Sequence, residues 1–411
     1  MRGGPEAPRT RKARAVLARC RSRSRLVSEL RPDPMKNPLL DLAGLGQSVW
    51  YDFIRKSLIE SGDLARLVED DAVKGVTSNP SIFEAAIAKS GDYDAALAEL
   101  DLAGSSAEEV YEALAIADIQ AACDVLRSVY DATSGDDGFV SLEVSPELGH
   151  DTEGTLAAAR RLWAAVDRPN LMIKVPATEE GIPAIQTLIR EGIHVNVTLL
   201  FARSMYERVA RAYIAGLQER AADGGDVSSV RSVASFFVSR IDSKVDAVLR
   251  AGIEASTDAS ERALRRGLIG KAAIANAKVT FAGSKELFAG EAWESLAAAG
   301  AKEQRLLWAS TSTKDPSFCD VLYVEELIGP NTVNTVPAAT VDAFRDHGRA
   351  RASLEEDLEG AQDVLAALPA VGVDLDAITA ELLTAGVQAF VDAYARLLEA
   401  VEQKRLQQVG G

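Results

Sequence analysis

The 411-residue chain is 47% hydrophobic and 26% charged, a globular composition with length for one large domain or two smaller ones and no apolar stretch long enough to span a bilayer. Its net charge of −16 is uneven: residues 1–34 carry ten Arg or Lys against three acids, and the rest carries 35 basic against 58 acidic residues, a net of −23. A body this acidic repels nucleic acid, which argues against that partner for the folded part.

The basic head is Arg- and Ser-rich, as transit peptides are. It lacks a clean apolar periodicity, and Met35-Lys-Asn-Pro38 opens the acidic, regularly patterned part. The head is expected to be an upstream start that is absent from the working protein or disordered in it; targeting is the second reading and an unassigned tail the third. The single domain is taken to run from 35 to 411. Cys20, Cys123 and Cys319 lie far apart without a CxxC pair, which argues against a disulfide framework or zinc knuckle and fits a reducing cytoplasm. Three histidines (His150, His194, His347) argue against a His-based metal site or a Ser-His-Asp triad. There is no GxSxG, no GxxxxGK[ST] and no complete GxGxxG; Gly44-Leu-Gly46 lacks the third glycine.

Short apolar runs then recur along the chain: Ser48–Asp52, Val73–Asn79, Gly138–Ser145, Leu171–Pro176, Ile193–Leu199, Ser232–Val238, Leu306–Ser310 and Val321–Val324. Ala-, Leu- and Glu-rich amphipathic stretches separate them, such as Ser106–Tyr130, Thr152–Val166 and Arg203–Arg220. Strands alternating with helices imply βαβ units and a parallel sheet. Eight in one domain of this size predict a closed (β/α)8 barrel, with an open doubly wound sheet as the alternative. Residues 336–407 lack strand signals and read as C-terminal helices packed outside the barrel, where they can cover its mouth. No repeat of solenoid length is present.

The fourth run, Leu171-Met-Ile-Lys-Val-Pro176, is apolar on both sides of Lys174 and closed by proline. An ammonium there is costly unless it is paired, shifted in pKa or used. The plain alternative is a strand-end lysine snorkelling to solvent. The other runs end in polar residues too: Asp52 on the first; Thr77, Ser78 and Asn79 on the second; Glu143 on the third; Asn196 and Thr198 on the fifth; Ser235, reaching Arg240, on the sixth; Ser310 through Lys314 on the seventh. Singly, each has a structural explanation as a helix cap, a turn or a satisfied buried polar group. Together they put an amine, two carboxylates, neutral hydrogen-bonders and an arginine at one end of a barrel, where barrel active sites sit. That set suits Schiff-base chemistry on a phosphorylated sugar. Lys174 would attack a ketone, Glu143 would move protons through a water, and Asp52 would take a hydroxyl proton as a carbon–carbon bond breaks. Asn and Thr side chains would hold sugar hydroxyls and Arg240 the phosphate. The protonated imine is the electron sink, so the expected cofactor set is none.

Two motifs carry a resemblance. Gly75-Val-Thr-Ser-Asn-Pro-Ser81 is similar to the N-terminal signature of the transaldolase family, and Leu171-Met-Ile-Lys-Val-Pro-Ala-Thr178 to its active-site lysine signature. The resemblance covers roughly residues 40–400. It implies a (β/α)8 TIM barrel of the class I aldolase type with the Schiff-base lysine on strand four. It also implies transfer of a dihydroxyacetone unit from fructose 6-phosphate or sedoheptulose 7-phosphate to erythrose 4-phosphate or glyceraldehyde 3-phosphate. By motif, Lys174 matches the Schiff-base lysine, Asp52 the strand-one acid/base, and Glu143 the glutamate that works through a water. Thr77, Asn79, Asn196 and Thr198 match sugar contacts, and Ser235 and Arg240 a substrate and phosphate segment. Many members carry an arginine two residues after the serine that ends strand seven. Here Ser310 is followed by Thr311 and Ser312, and the first cation is Lys314, as in a longer-chain bacterial branch. Lys314 is the candidate for that second cation, although lysine lacks arginine's fork.

The expected function is therefore a cytoplasmic transaldolase of the non-oxidative pentose phosphate pathway, acting on sugar phosphates as a monomer or homodimer. The alternatives are a fructose-6-phosphate aldolase, a catalytically silent sugar-phosphate-binding barrel, and a nucleic-acid binder acting through the basic head.

Overall fold

Eight strands pair in chain order in the computed structural model, which describes residues 37–409 apart from 89 and 100–103. They are β1 (Gln47–Tyr51), β2 (Val73–Thr77), β3 (Phe139–Glu143), β4 (Leu171–Pro176), β5 (Val195–Leu200), β6 (Ser232–Phe237), β7 (Arg305–Ala309) and β8 (Thr332–Val336). All neighbours are parallel, and β8 pairs with β1 to close the barrel. Closure removes the open-sheet alternative and leaves no free edge. The expectations for residues 1–34 lie outside the described residues.

Seven expected strands fall on observed ones, and the eighth does not. Val321–Val324 borders and enters a helical turn, Leu322–Glu325, with Tyr323 and Val324 buried. The eighth strand is Thr332-Val-Asn-Thr-Val336, which is β-branched at four of its five positions. A four-residue apolar run does not distinguish a strand from one buried turn of helix. Val336, expected to open the helical tail, instead ends β8. Beyond it the expected helices are present as Ala338–His347, Leu358–Ala367 and Leu375–Val409.

The barrel floor depends on a glycine. Gly75 pairs with Trp50, and a Cβ at Gly75 would lie 2.5 Å from Cε2 of the indole. The missing side chain lets the fully buried Trp50 ring pack against the β2 backbone. Trp50 Nε1 donates to Asp137 Oδ1 at 2.8 Å, and Arg305 Nη1 lies 3.4 Å from Asp137 Oδ2. Arg305 Nη2 also donates to Ser48 Oγ at 2.6 Å. This end is thus plugged by an indole and a hydrogen-bonded polar cluster, in which Arg305 Nε alone of the guanidinium nitrogens is buried without a partner. At the opposite end the backbone is irregular: Leu199 and Ser310 take positive φ values of 61° and 56°. Ala72 and Asn331, directly before β2 and β8, also take positive φ, so these values do not by themselves mark a functional end.

The final helix, Leu375–Val409, runs across that irregular end. A Cβ on Gly386 would lie 2.9 Å from Leu199 Cδ2, and the Phe390 ring centre is 5.8 Å from Lys174 Nζ. Arg396 pairs with Glu84 at 3.1 Å and Lys404 with Asp94 at 2.5 Å, tying the helix to the segment after β2. The expectation that the C-terminal helices reach the mouth is met.

Gly75→Ala should destabilise the fold by about 1–3 kcal/mol through overpacking against Trp50. The denaturant midpoint measures it; an unchanged midpoint would show that the indole is free to move.

Candidate active site

Parallel pairing sets the site's geometry. The β3–β4 register places Glu143 beside Lys174, and the β4–β5 register places Asn196 on the other side of it. Three polar side chains therefore share one level inside the barrel, because each belongs to a strand whose neighbour is fixed in register. Lys174 is 5% exposed, so it does not snorkel. Its Nζ donates to the Ser78 carbonyl at 3.1 Å and lies 3.5 Å from Glu143 Oε2. Phe390 closes the remaining side.

The two carboxylates differ in environment. Burial pushes the Glu143 carboxyl up to about 7, and the positive charge and proximity of Lys174 oppose the rise. Asp52 follows β1 and is also pushed up by burial. A hydrogen bond from Thr77 Oγ1 to Asp52 Oδ1 at 2.7 Å opposes it, as do the charges of Lys174 and Lys314. Thr77 Oγ1 in turn meets Thr335 Oγ1 at 2.6 Å. Two carboxyl groups with raised affinity for protons thus flank one amine, which suits groups that pass protons near neutrality.

The expected sugar contacts divide. Asn196 Nδ2 donates to Ser141 Oγ at 3.0 Å, and its Oδ1 accepts from Ser235 Oγ at 2.7 Å, so β3, β5 and β6 are cross-linked at the mouth. Thr198 Oγ1 and Glu143 Oε2 are both buried without a hydrogen-bond partner. Two such orphans near an amine mark where a reacting molecule would complete the site. Asn79 is half-buried, and its Oδ1 accepts from Ile82 N at 3.1 Å. It caps the helix Pro80–Ala88, so its carbonyl oxygen is engaged and only its amide NH2 remains for a ligand.

The rim carries the cations. Arg240 is half-buried, lies over the Phe237 ring at 5.3 Å, and has no ion pair or side-chain hydrogen bond among the described residues. Burial pushes its pKa down. Lys314 is exposed and bonds Ser312 Oγ at 2.8 Å. The protein packed around it and the like charge of Arg240 both push its pKa down, while Asp52 opposes them. Two cations close enough to perturb each other, one of them unpaired, form a place for an anion. Ser310 lies beside them, its Oγ hydrogen-bonded with Ser239 Oγ at 2.9 Å.

Sequence reasoning missed Thr335, Ser78 as the acceptor for Lys174, Ser141 and Phe390. Thr335 was hidden by the misplaced eighth strand, although Thr332-Val-Asn-Thr-Val336 carried the signal. Ser141 alternates with Glu143 on the same strand face and could have been read. Phe390 had no local signal, because its role comes from where a long helix lies.

Comparison with known proteins gives a consistent picture. The family model described as Transaldolase/Fructose-6-phosphate aldolase matches residues 49–401. A transaldolase of Frankia alni is 48% identical over 90% of this chain and 98% of its own length. One from Parafrankia sp. is 49% identical over the same shares, and one from Trichodesmium erythraeum is 45% identical over 90% and 97%.

Glu143 should titrate near pH 7 rather than at its ordinary 4.5. The folded protein then holds a proton on this group between those values that the unfolded chain has released, so the group's contribution to stability is lost as pH rises through about 7. Lys174→Met removes the positive neighbour and should raise the Glu143 pKa further. Carboxyl titration by NMR reads both; a fall in Lys174→Met would reverse the assigned cause.

Proposed function

The chain belongs to the transaldolase/fructose-6-phosphate aldolase family, and we propose that it works as a transaldolase by way of an imine on Lys174. The observation that carries this is the buried Lys174–Glu143 pair, with Asp52 also close enough for the lysine's charge to act on its carboxyl. A merely structural barrel has no need of an amine that leaves a carboxylate oxygen without a hydrogen bond.

In this reading a ketose phosphate enters the mouth with its phosphate at Arg240 and Lys314. Glu143, 3.5 Å from Nζ, accepts a proton from Lys174. The free amine attacks the C2 carbonyl and forms a carbinolamine. Glu143 returns the proton, through a water held with Thr198, to the departing hydroxyl, and water leaves an iminium ion. Asp52 removes the proton from the C4 hydroxyl. The C3–C4 bond breaks, its electron pair flows into the iminium as an enamine, and an aldose phosphate departs. The acceptor aldehyde then takes the vacated place. The enamine carbon attacks it, Asp52 returns the proton to the new alkoxide, and hydrolysis of the imine frees the product ketose and Lys174. The iminium accepts the electrons, so the chemistry calls for no separate electron sink. Asn196, held by Ser141 and Ser235, and the amide of Asn79 orient the sugar hydroxyls.

The donor is a ketose phosphate, fructose 6-phosphate or sedoheptulose 7-phosphate, and the acceptor an aldose phosphate, which places the reaction in the non-oxidative pentose phosphate pathway. No described helix is long and apolar enough to cross a membrane. With soluble sugar phosphates as substrates, we place the reaction in the cytoplasm.

Borohydride added with fructose 6-phosphate should reduce an adduct onto Lys174, found by peptide mass mapping. Lys174→Arg should lose adduct and turnover together; an active Lys174→Arg protein would sink the imine route. Asp52→Ala should still be trapped but transfer about 10²–10⁴-fold more slowly. Free dihydroxyacetone released without an acceptor at the full turnover rate would identify the aldolase activity instead. Arg240→Ala should raise KM for fructose 6-phosphate about 10–100-fold with a smaller change in kcat.

A further inference from the structure

The two rim cations repel each other, yet they come from different parts of the chain. Arg240 lies in the first turn of the helix Ser239–Ala255, and Lys314 lies in the segment between β7 and the short helix Leu322–Glu325. Something must hold that segment against the helix. Among the described residues, three contacts tie it to the Ser239–Ala255 helix; Thr311 to Asn334 at 2.9 Å and Asp320 to His347 at 2.8 Å tie it to other elements. At the start of the segment, Ser239 N donates to the Ser310 carbonyl at 3.1 Å, and the two hydroxyls meet at 2.9 Å. Near its middle, Arg250 Nη2 pairs with Asp315 Oδ2 at 2.5 Å. At its end, Tyr323 donates its hydroxyl to Asp242 Oδ2 at 2.9 Å.

The third contact differs from the others because it is dry. Asp242 and Tyr323 are each 1% exposed. The other carboxylate oxygen of Asp242 accepts from Ala273 N at 2.8 Å. Ala273 is the second residue of the helix Ala272–Leu287, whose own N-cap, Lys271, supplies no side-chain cap. An acidic group at a helix N-terminus is favourable and satisfies an orphan donor there. One carboxylate, two residues beyond Arg240, therefore joins the arginine's helix, the start of a third helix and the end of the lysine's segment. Asp246, one turn along, caps Gly270 N at 3.0 Å and does not reach the segment.

We propose that Asp242, through Tyr323, is a positioning residue for the phosphate site: it sets where Lys314 stands relative to Arg240. This rests on the reading of those two cations as the phosphate site. Where the family pattern has an arginine with a rigid fork, this chain has a lysine on a long loop. A lysine is a point charge on a flexible stem, so the placing of its loop decides the geometry that the fork would otherwise supply. The contacts at Ser310 and Asp315 fix the near part of the loop, and its closing at Tyr323 completes that placing.

The test compares a phosphorylated with a phosphate-free substrate. KM and kcat are measured with fructose 6-phosphate, and the rate of borohydride trapping on Lys174 is measured with dihydroxyacetone. Asp242→Asn and Tyr323→Phe should each raise KM for fructose 6-phosphate about tenfold. Dihydroxyacetone trapping and kcat should stay within about twofold, since the chemistry at Lys174 is untouched. The double variant should be no worse than the worse single one, because both act through one contact. Asp246→Ala, which loses the bond to Gly270 N but not the link, should leave KM unchanged. Two results overturn the inference. One is parallel loss of trapping and of fructose 6-phosphate turnover in Tyr323→Phe, which would make the contact merely structural. The other is an unchanged KM in both Asp242→Asn and Tyr323→Phe while Arg240→Ala raises it. An unchanged KM in Arg240→Ala would remove the phosphate reading itself, and the inference with it.

Discussion

The site depends on a lysine that the strand register forces into the barrel. Lys174 occupies a position whose neighbours on both sides are also inward and polar, because β3, β4 and β5 are locked in parallel pairing. Placing an ammonium in so dry a position is tolerated only with partners at hand. The Ser78 carbonyl and the Glu143 carboxylate supply them, and neither saturates the amine. The same burial raises the proton affinity of Glu143 into the neutral range. One physical cause, removal from water, thus gives a lysine a nearby proton acceptor and gives that acceptor a useful pKa.

How far this was legible in the sequence follows from what each signal depends on. Strands one to seven were marked by apolar runs flanked by amphipathic helices, and Lys174, Glu143 and Asp52 stood out as charges at the ends or inside such runs. Their chemistry could be read because the strand end of a barrel is a location that sequence order defines. The eighth strand was misplaced because Val321–Val324 is short and apolar, a pattern that a strand shares with one buried turn of helix. Ser310 was read as a ligand contact, and the structure adds a hydroxyl bond to Ser239 that no local signal announced. Asn79 was read as a sugar contact, and the structure makes it first a helix cap. Phe390 was invisible, since nothing local distinguishes it from any other apolar residue of a long helix.

On the proposed reading of the rim, a barrel changes a substrate contact without changing the reaction. The chemistry is anchored in strands, whose spacing is set by the sheet. The proposed phosphate contact is anchored in loops and first helical turns, whose spacing is set by side-chain contacts such as Ser239 to Ser310 and Arg250 to Asp315. Loops tolerate replacement far better than strands do. A lysine four residues after Ser310 can then take up a task that the family pattern gives to an arginine two residues after it, provided the loop is held.

The final helix closes one end of the reaction chamber with Phe390, and the Gly75-supported indole closes the other. An enamine on Lys174 would then sit between two aromatic plugs with little bulk water beside it. Protonation of that carbon by solvent is the event that turns a transferase into an aldolase. The partition between the two activities is thus a race between acceptor arrival and water entry. On this reading the C-terminal helix, through Phe390 at 5.8 Å from the amine, would set the handicap without any of its residues taking part in the chemistry.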